Sequence, residues 1–124
     1  MKVQEVIRYQ EMTRVPLASV VIKGLINLRG QIVTAVDMRH RLELAPRPDD
    51  ELPMNVVLRT EDGAVSLLVD EIGDVVEVEE TAYEEPPETL AGVARDLIAG
   101  AYKLKNSLLL ILDTARALDD IQAA

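Results

Sequence analysis

The 124-residue chain has no cysteine and a single histidine. Without thiols it forms neither disulfides nor thiolate metal sites, a composition that fits a reducing compartment. Positive charge is also scarce: 13 Lys and Arg stand against 22 Asp and Glu, a formal net charge of −9. Such a surface repels phosphate backbones and anionic headgroups, so nucleic acid and membrane surfaces are not expected partners. No stretch approaches the roughly 20 apolar residues of a membrane-spanning helix, and the opening MKVQEVIRYQEM is charged, unlike the apolar core of a secretory signal. The expectation is a cytoplasmic chain without direct membrane insertion.

Motifs that carry chemistry are missing too. There is no G-x-x-x-x-G-K-[ST] loop, no G-x-G-x-x-G after a strand, and no G-x-S-x-G elbow around Ser19, Ser66 or Ser107. Acidic groups at 49–51, 79–80 and 84–85 lie in proline-containing linkers, without the spacing or the glycine of a calcium loop. No cofactor, no metal and no catalytic residue are expected. His40, flanked by Arg39 and Arg41, could act as a general base or a metal ligand, but its setting reads as a surface helix. A small acidic β enzyme using His40 is the remote alternative.

What is present is a series of short apolar runs, and with 48% hydrophobic residues the chain can bury a core. The runs at 22–28, 31–36, 55–60, 65–69, 75–78, 98–104 and 108–112 are too short for helices and read as strands. Arg29-Gly30, Asp62-Gly63 and Lys105-Asn106 mark hairpin turns. Val3 to Gln10 reads as a short helix. Asp37 and Asp113, each at a strand end, read as caps of helices running to about Leu42 and Leu118. The stretches 46–53 and 81–88 read as linkers.

Residues 22–42 align without gaps on residues 98–118. Ile22, Gly24, Leu28, Asp37 and Leu42 meet identical residues at Ile98, Gly100, Leu104, Asp113 and Leu118, while Arg29 meets Lys105. This agreement predicts two copies of one hairpin-plus-capped-helix unit, hence a mainly β chain of two similar lobes, about 1–45 and 55–118. In the second copy a hairpin at 55–69 precedes the shared block, and the first copy has no counterpart to it. The first lobe is therefore expected to be incomplete at its N-terminus. Its open edge would take a strand from the second lobe, from a partner or from a second copy of the chain, giving a homo-oligomer by strand exchange.

Two features exceed what folding demands. Gly30 supplies the positive φ of a tight turn, but nothing in turn geometry asks for an arginine at 29. Arginine is enriched among residues that anchor interfaces; a solvated turn cation fits equally well. Val3, Glu5 and Val6 give the N-terminal segment a mixed apolar and acidic surface, suited to a contact or to covering the sheet.

The strings VQEVIRYQEMTRVP, IKGLINLRGQIVTAVDMR, VSLLVDEIGDVVEV and LIAGAYKLKNSLLLILDTARAL, in that order, resemble the CheW-like coupling domain of bacterial chemotaxis. The resemblance runs from about Val3 to Leu118, so that 1–124 is a single such domain. It implies two SH3-like five-stranded β-barrel lobes with short helices, and no catalysis. It further implies an adaptor that joins the cytoplasmic tips of transmembrane chemoreceptors to the regulatory domain of the histidine kinase CheA. By the same resemblance Arg29 matches the arginine of the N-L-R-G turn used in coupling, and Val3 and Glu5 match the V-x-E positions of another contact surface. Gly24 and Gly30 match family glycines, read as structural turn requirements. Members usually begin with two further strands, in line with the gap expected in the first lobe. A shortened paralogue that occupies partner sites without activating the kinase is the alternative.

Overall fold

The structure, a computed structural model, describes residues 2–16, 20–60, 63–73, 81, 83–85, 97–104 and 108–118. They divide into two compact units, one within Met1–Ile72 and one within Gly73–Asp119. The fold is mainly β.

The first unit contains β1 (Lys2–Ile7), β2 (Ile22–Leu28), β3 (Gln31–Asp37), α1 (Met38–Arg41), β4 (Met54–Thr60) and β5 (Gly63–Val69). Its strands form one sheet in the order β1-β4-β5-β3-β2. All neighbours run antiparallel except β3 and β5, which run parallel from Thr34 opposite Val65 to Asp37 opposite Leu68. A parallel partner puts β5 in the middle of the sheet. Val65, Ser66, Leu67 and Leu68 are consecutively buried, as expected of a strand covered on both faces rather than alternating. Ile26, Ala35 and Leu68 form a buried cluster against which Met12 packs.

A buried side-chain polar pair between β4 and β5 is satisfied. The Ser66 hydroxyl donates to Asn55 Oδ1 at 2.7 Å, and Asn55 Nδ2 donates to the Arg8 carbonyl at 3.0 Å. The pair ties β4 to β5 and to the chain leaving β1, so the hairpin cannot slip its register without burying unpaired polar groups.

The second unit contains β6 (Tyr83–Glu84), β7 (Ile98–Lys103), β8 (Leu108–Leu112) and α2 (Thr114–Ala117). The sheet order is β6-β7-β8, antiparallel throughout.

Among the described residues the two copies share the start of the hairpin, a bulge and a capping aspartate. In β2 and β3 Ile22 opposes Val36, a bulge intervenes, and Gly24 opposes Ala35. In β7 and β8 Ile98 opposes Leu112, a bulge intervenes, and Gly100 opposes Ile111. The Asp37 and Asp113 amides donate to the carbonyls of Val21 and Leu97, both at 2.8 Å. Each aspartate then accepts a backbone N–H from its own helix, that of Arg39 or that of Arg116, which satisfies one of the donors a helix start leaves unpaired. Leu42 and Leu118 are the C-caps.

Several expectations are corrected. The segment read as a helix over Val3 to Gln10 is the strand β1, because β4 offers a ladder that local pattern does not reveal. Within the stretch read as a linker over 81–88, Tyr83–Glu84 pairs with β7. The hairpin assigned to a lobe at 55–118 pairs instead with β1 and β3, so the first unit extends to Ile72 and its sheet has five strands. The gap expected in the first lobe is filled by β4 and β5. The reason is the parallel pairing, which joins strands far apart in the chain, whereas a repeat read along the sequence assigns elements by their order. The run at 75–78 and the turn at Lys105-Asn106 lie outside the described residues. No helix among the described residues is long and apolar enough to cross a membrane.

Gly24 lies within β2 rather than in a turn. A Cβ there would come within 2.6 Å of the Thr13 carbonyl oxygen, in the two-way backbone pairing of Thr13 with Leu25. At Gly100 a Cβ would run into the Tyr83 ring, which packs edge-on against Tyr102 with centroids 5.4 Å apart. Gly24→Ala should therefore cost ~1–3 kcal/mol of stability, and more than Gly100→Ala, because a backbone carbonyl cannot swing aside as a tyrosine ring can. Urea denaturation checks the order; equal costs would contradict the packing described.

Candidate functional site

Two residues, Arg29 and Gly30, connect β2 to β3, and both have positive φ, 53° and 85°. This is the backbone of a tight hairpin turn whose twist matches the strands, for which Asn, Asp or Gly are the usual occupants. Asn27 Oδ1 steadies it by accepting the Gly30 N–H at 3.0 Å. Glycine tolerates this conformation; arginine there is strained by ~1 kcal/mol or more.

The Arg29 guanidinium reaches across to β1. Nη1 donates to Glu5 Oε1 at 3.1 Å and Nη2 donates to Oε2 at 2.7 Å, a two-pronged pair. Strands β1 and β2 are the opposite ends of the sheet order, so the sheet curls until its two edges are bridged by this contact. The Arg29 side chain is 71% exposed and that of Glu5 18%. A pair so open to water contributes ~0–1 kcal/mol, which does not exceed the strain of the turn. Stability alone gives no reason for arginine at 29.

Exposed aliphatic side chains lie on the same elements. Val3 and Val6 are on β1, with a bulge between Val3 and Glu5, and Ile32 follows the turn on β3. The structure thus brings Arg29 and Glu5 into contact and places Val3 two residues from Glu5. Sequence reasoning missed the bridge itself, and it did not single out Ile32 within the strand run 31–36. The available signal for Ile32 was its cross-strand partner, Asn27, which shares its face and is polar.

A second polar cluster lies where β3 and β5 end together. Arg39 Nε and Nη2 donate to the two Asp70 oxygens at 2.8 and 2.9 Å, and Nη1 donates to the carbonyls of Ala45 and Pro46, both at 3.2 Å. Arg47 adds bonds of 3.2 and 3.0 Å to Asp70 Oδ1. These contacts clasp the chain after α1 to the end of β5. The Arg39 hydrogen bonds hold the Asp70 carboxyl below the usual carboxylate range, and Asp70 raises the Arg39 guanidinium in turn. The helix cap Asp37, buried nearby, has Arg47 Nη2 at 3.7 Å and Lys23 Nζ and His40 Nε2 at 3.9 Å. His40 therefore stands beside a cap. An open cavity of about 390 Å³ borders Arg39, Arg47, Leu52 and Asp70. Both arginines turn their donors into the clasp, so the cavity offers an incoming anion no ready guanidinium fork. No group of three metal-ligating side chains occurs among the described residues.

A family model for the CheW-like domain matches residues 1–122. The chain is 35% identical to the chemotaxis protein CheW of Bacillus subtilis over 121 residues, 95% of this chain and 76% of that protein. It is 27% identical to CheW of Treponema pallidum over 117 residues, 91% of this chain and 69% of that protein. The fold matches the crystal structure of the scaffolding protein TtCheW from Thermoanaerobacter tengcongensis with a TM-score of 0.78 at 24% identity, covering 90% of this chain and 75% of that one.

Two measurements test this geometry. Replacing Arg29 with glycine removes both the bridge and the strain, so unfolding free energy should stay within about 1 kcal/mol of the parent; a larger loss in urea denaturation would show that the bridge is structural. For the clasp, a carboxyl lowered in the folded state contributes stability above its unfolded value, and that contribution is lost as pH falls through the lowered value. At neutral pH Asp70→Asn should speed amide exchange at Leu44, whose N–H donates to the Arg39 carbonyl at 2.8 Å. The parent should reach that behaviour only in acid, and equal protection of Leu44 in both proteins would refute the clasp.

Proposed function

The chain belongs to the CheW-like domain family, and from that premise we propose that it is a non-enzymatic scaffold of bacterial chemotaxis, coupling the cytoplasmic tips of chemoreceptors to the regulatory domain of the histidine kinase CheA. The observation that carries the reading is the strained arginine. Of the five N–H donors of a guanidinium, two bonds from Arg29 go to Glu5, and with most of the side chain in water the remainder can meet a partner's carboxylate or carbonyls. Glu5 holds the fork in one orientation, which lowers the ordering cost of a contact. The exposed Val3, Val6 and Ile32 supply apolar area around it, the combination of an arginine anchor and aliphatic surroundings that suits a protein contact.

A surface of this kind binds modestly and weakens with salt, because its charged part is screened. Many such contacts held in an array act together by effective concentration rather than by individual strength. His40, beside a helix cap, takes no part in this function.

The test separates partner contact from fold. Arg29→Glu places two carboxylates together and should lower affinity for the kinase regulatory domain by about tenfold or more, ~1.4 kcal/mol, with loss of kinase activation in a reconstituted receptor assembly. The double exchange Glu5→Arg with Arg29→Glu restores the intramolecular pair in reverse. It should recover the parent's melting temperature without recovering coupling. If the double exchange restores kinase control, Arg29 and Glu5 serve the fold alone and the reading is lost; undiminished coupling by Arg29→Glu alone overturns it as well.

A further inference from the structure

Near its end β2 carries Asn27, an exposed residue whose cross-strand neighbour is Ile32 on β3. Asparagine is depleted in strands, where β-branched residues fit the pleated surface better, and a valine or threonine would pack well beside Ile32. Strand formation does not explain Asn27. What it supplies instead is Oδ1, which accepts the Gly30 N–H at 3.0 Å from across the turn, a local side-chain bond that competes with other backbone arrangements.

The internal duplicate shows that the hairpin closes without this acceptor. In β7 and β8 the pair at the equivalent position is Lys103 opposite Leu108, and a lysine side chain carries donors only. The ladder reaches the same pair in both copies. The acceptor belongs to the copy whose turn carries the arginine.

That turn has little else to restrain it. Arg29 and Gly30 hold φ of 53° and 85°, glycine is the most permissive residue, and a Cβ placed at Gly30 would stand in open space. Packing on Gly30 does not fix the turn. Glu5 holds the far end of the arginine through its two bonds to the guanidinium, while the position of the arginine backbone depends on the turn itself. Two tethers therefore define where the guanidinium points, and Asn27 is the one at its root.

We infer that Asn27 is a positioning residue: through the Gly30 N–H it fixes the turn and so presents the Arg29 guanidinium to a partner in one orientation. The inference rests on the coupling role proposed for Arg29. A donor already ordered loses less freedom on binding than a mobile one, so the bond acts on affinity. Its effect on stability is small, because both of its groups lie open to water.

A double-mutant cycle on the full chain tests this. Asn27→Ala should lower affinity for the kinase regulatory domain by about three- to tenfold while keeping the parent's melting temperature. In an Arg29→Ala background the same change should leave affinity where Arg29→Ala alone puts it, because no guanidinium remains to be positioned. An asparagine serving the fold alone would act alike in both backgrounds. Amide exchange gives a readout that needs no partner: the Gly30 N–H should exchange faster in Asn27→Ala and at about the parent's rate in Asn27→Asp, which keeps an acceptor. Equal losses of affinity in both backgrounds, full affinity in Asn27→Ala where Arg29→Ala has lost it, or unchanged exchange at Gly30 would each overturn the inference. Should Arg29→Ala itself bind like the parent, the coupling role falls first and takes the role of Asn27 with it.

Discussion

The parallel register of β3 on β5 is the constraint from which the rest of the first unit follows. Opposing Asp37 to Leu68 aligns the ends of two strands that leave the sheet at the same side. Two residues further along each, Arg39 and Asp70 meet. No separate device is needed to bring the clasp together; its partners are neighbours because the strands run the same way. The same pairing places the β4–β5 hairpin inside the sheet and leaves β1 at its far end. The sheet then curls until Glu5 on that strand meets Arg29 on the turn beyond β2. Slipping the register by one residue would turn Ser66 from Asn55 and leave both buried groups unpaired, so the buried hydrogen bond enforces one answer.

A strained turn persists only when its surroundings over-determine it. Here the Asn27 side chain holds Gly30, the β2–β3 ladder continues to Val36, and Glu5 holds the guanidinium from the other edge. The exposed ion pair and the backbone strain are of similar small size and roughly cancel, so arginine at 29 is close to neutral for folding. A residue that breaks a local rule without a net gain in stability is the kind expected at a functional surface. Arg39 makes the contrast clear. It is equally cationic, but its donors are spent on Asp70 and two main-chain carbonyls, and its work is internal.

What could be read from the sequence was local or repeated. The β2–β3 hairpin, its duplicate in β7 and β8, and the aspartates at the strand ends all follow from turn residues, apolar alternation and spacing. Long-range pairing left no such trace. The strand β1 resembles a short helix in isolation because its apolar residues suit either period, and only the β4 ladder decides. The hairpin at 54–69 looks like part of the second lobe because it precedes the second copy of the repeat, yet its buried run from Val65 to Leu68 already matched a central, doubly covered strand. Of the candidate site, Arg29 stood out because the turn did not need it. Its partner Glu5 lies 24 residues away, and no pattern of spacing predicts an ion pair across a curled sheet.

The two copies of the hairpin and capped helix differ in how deeply their aspartate caps are buried, and that difference governs how each can be used. In the first, β5 seals β3, the Asp37 cap is buried among Arg47, Lys23 and His40, and the clasp locks the chain that follows. A sheet fixed at this end can hold a strained, charged turn at the other in a single orientation, which a contact surface requires. In the second, the equivalent cap keeps about a third of its exposure and pairs with Arg116 at 3.8 Å. Local instructions shared by the two copies set the hairpin, the bulge and the cap. In the first copy, what fixes the platform is a strand recruited at long range, which no local instruction encodes.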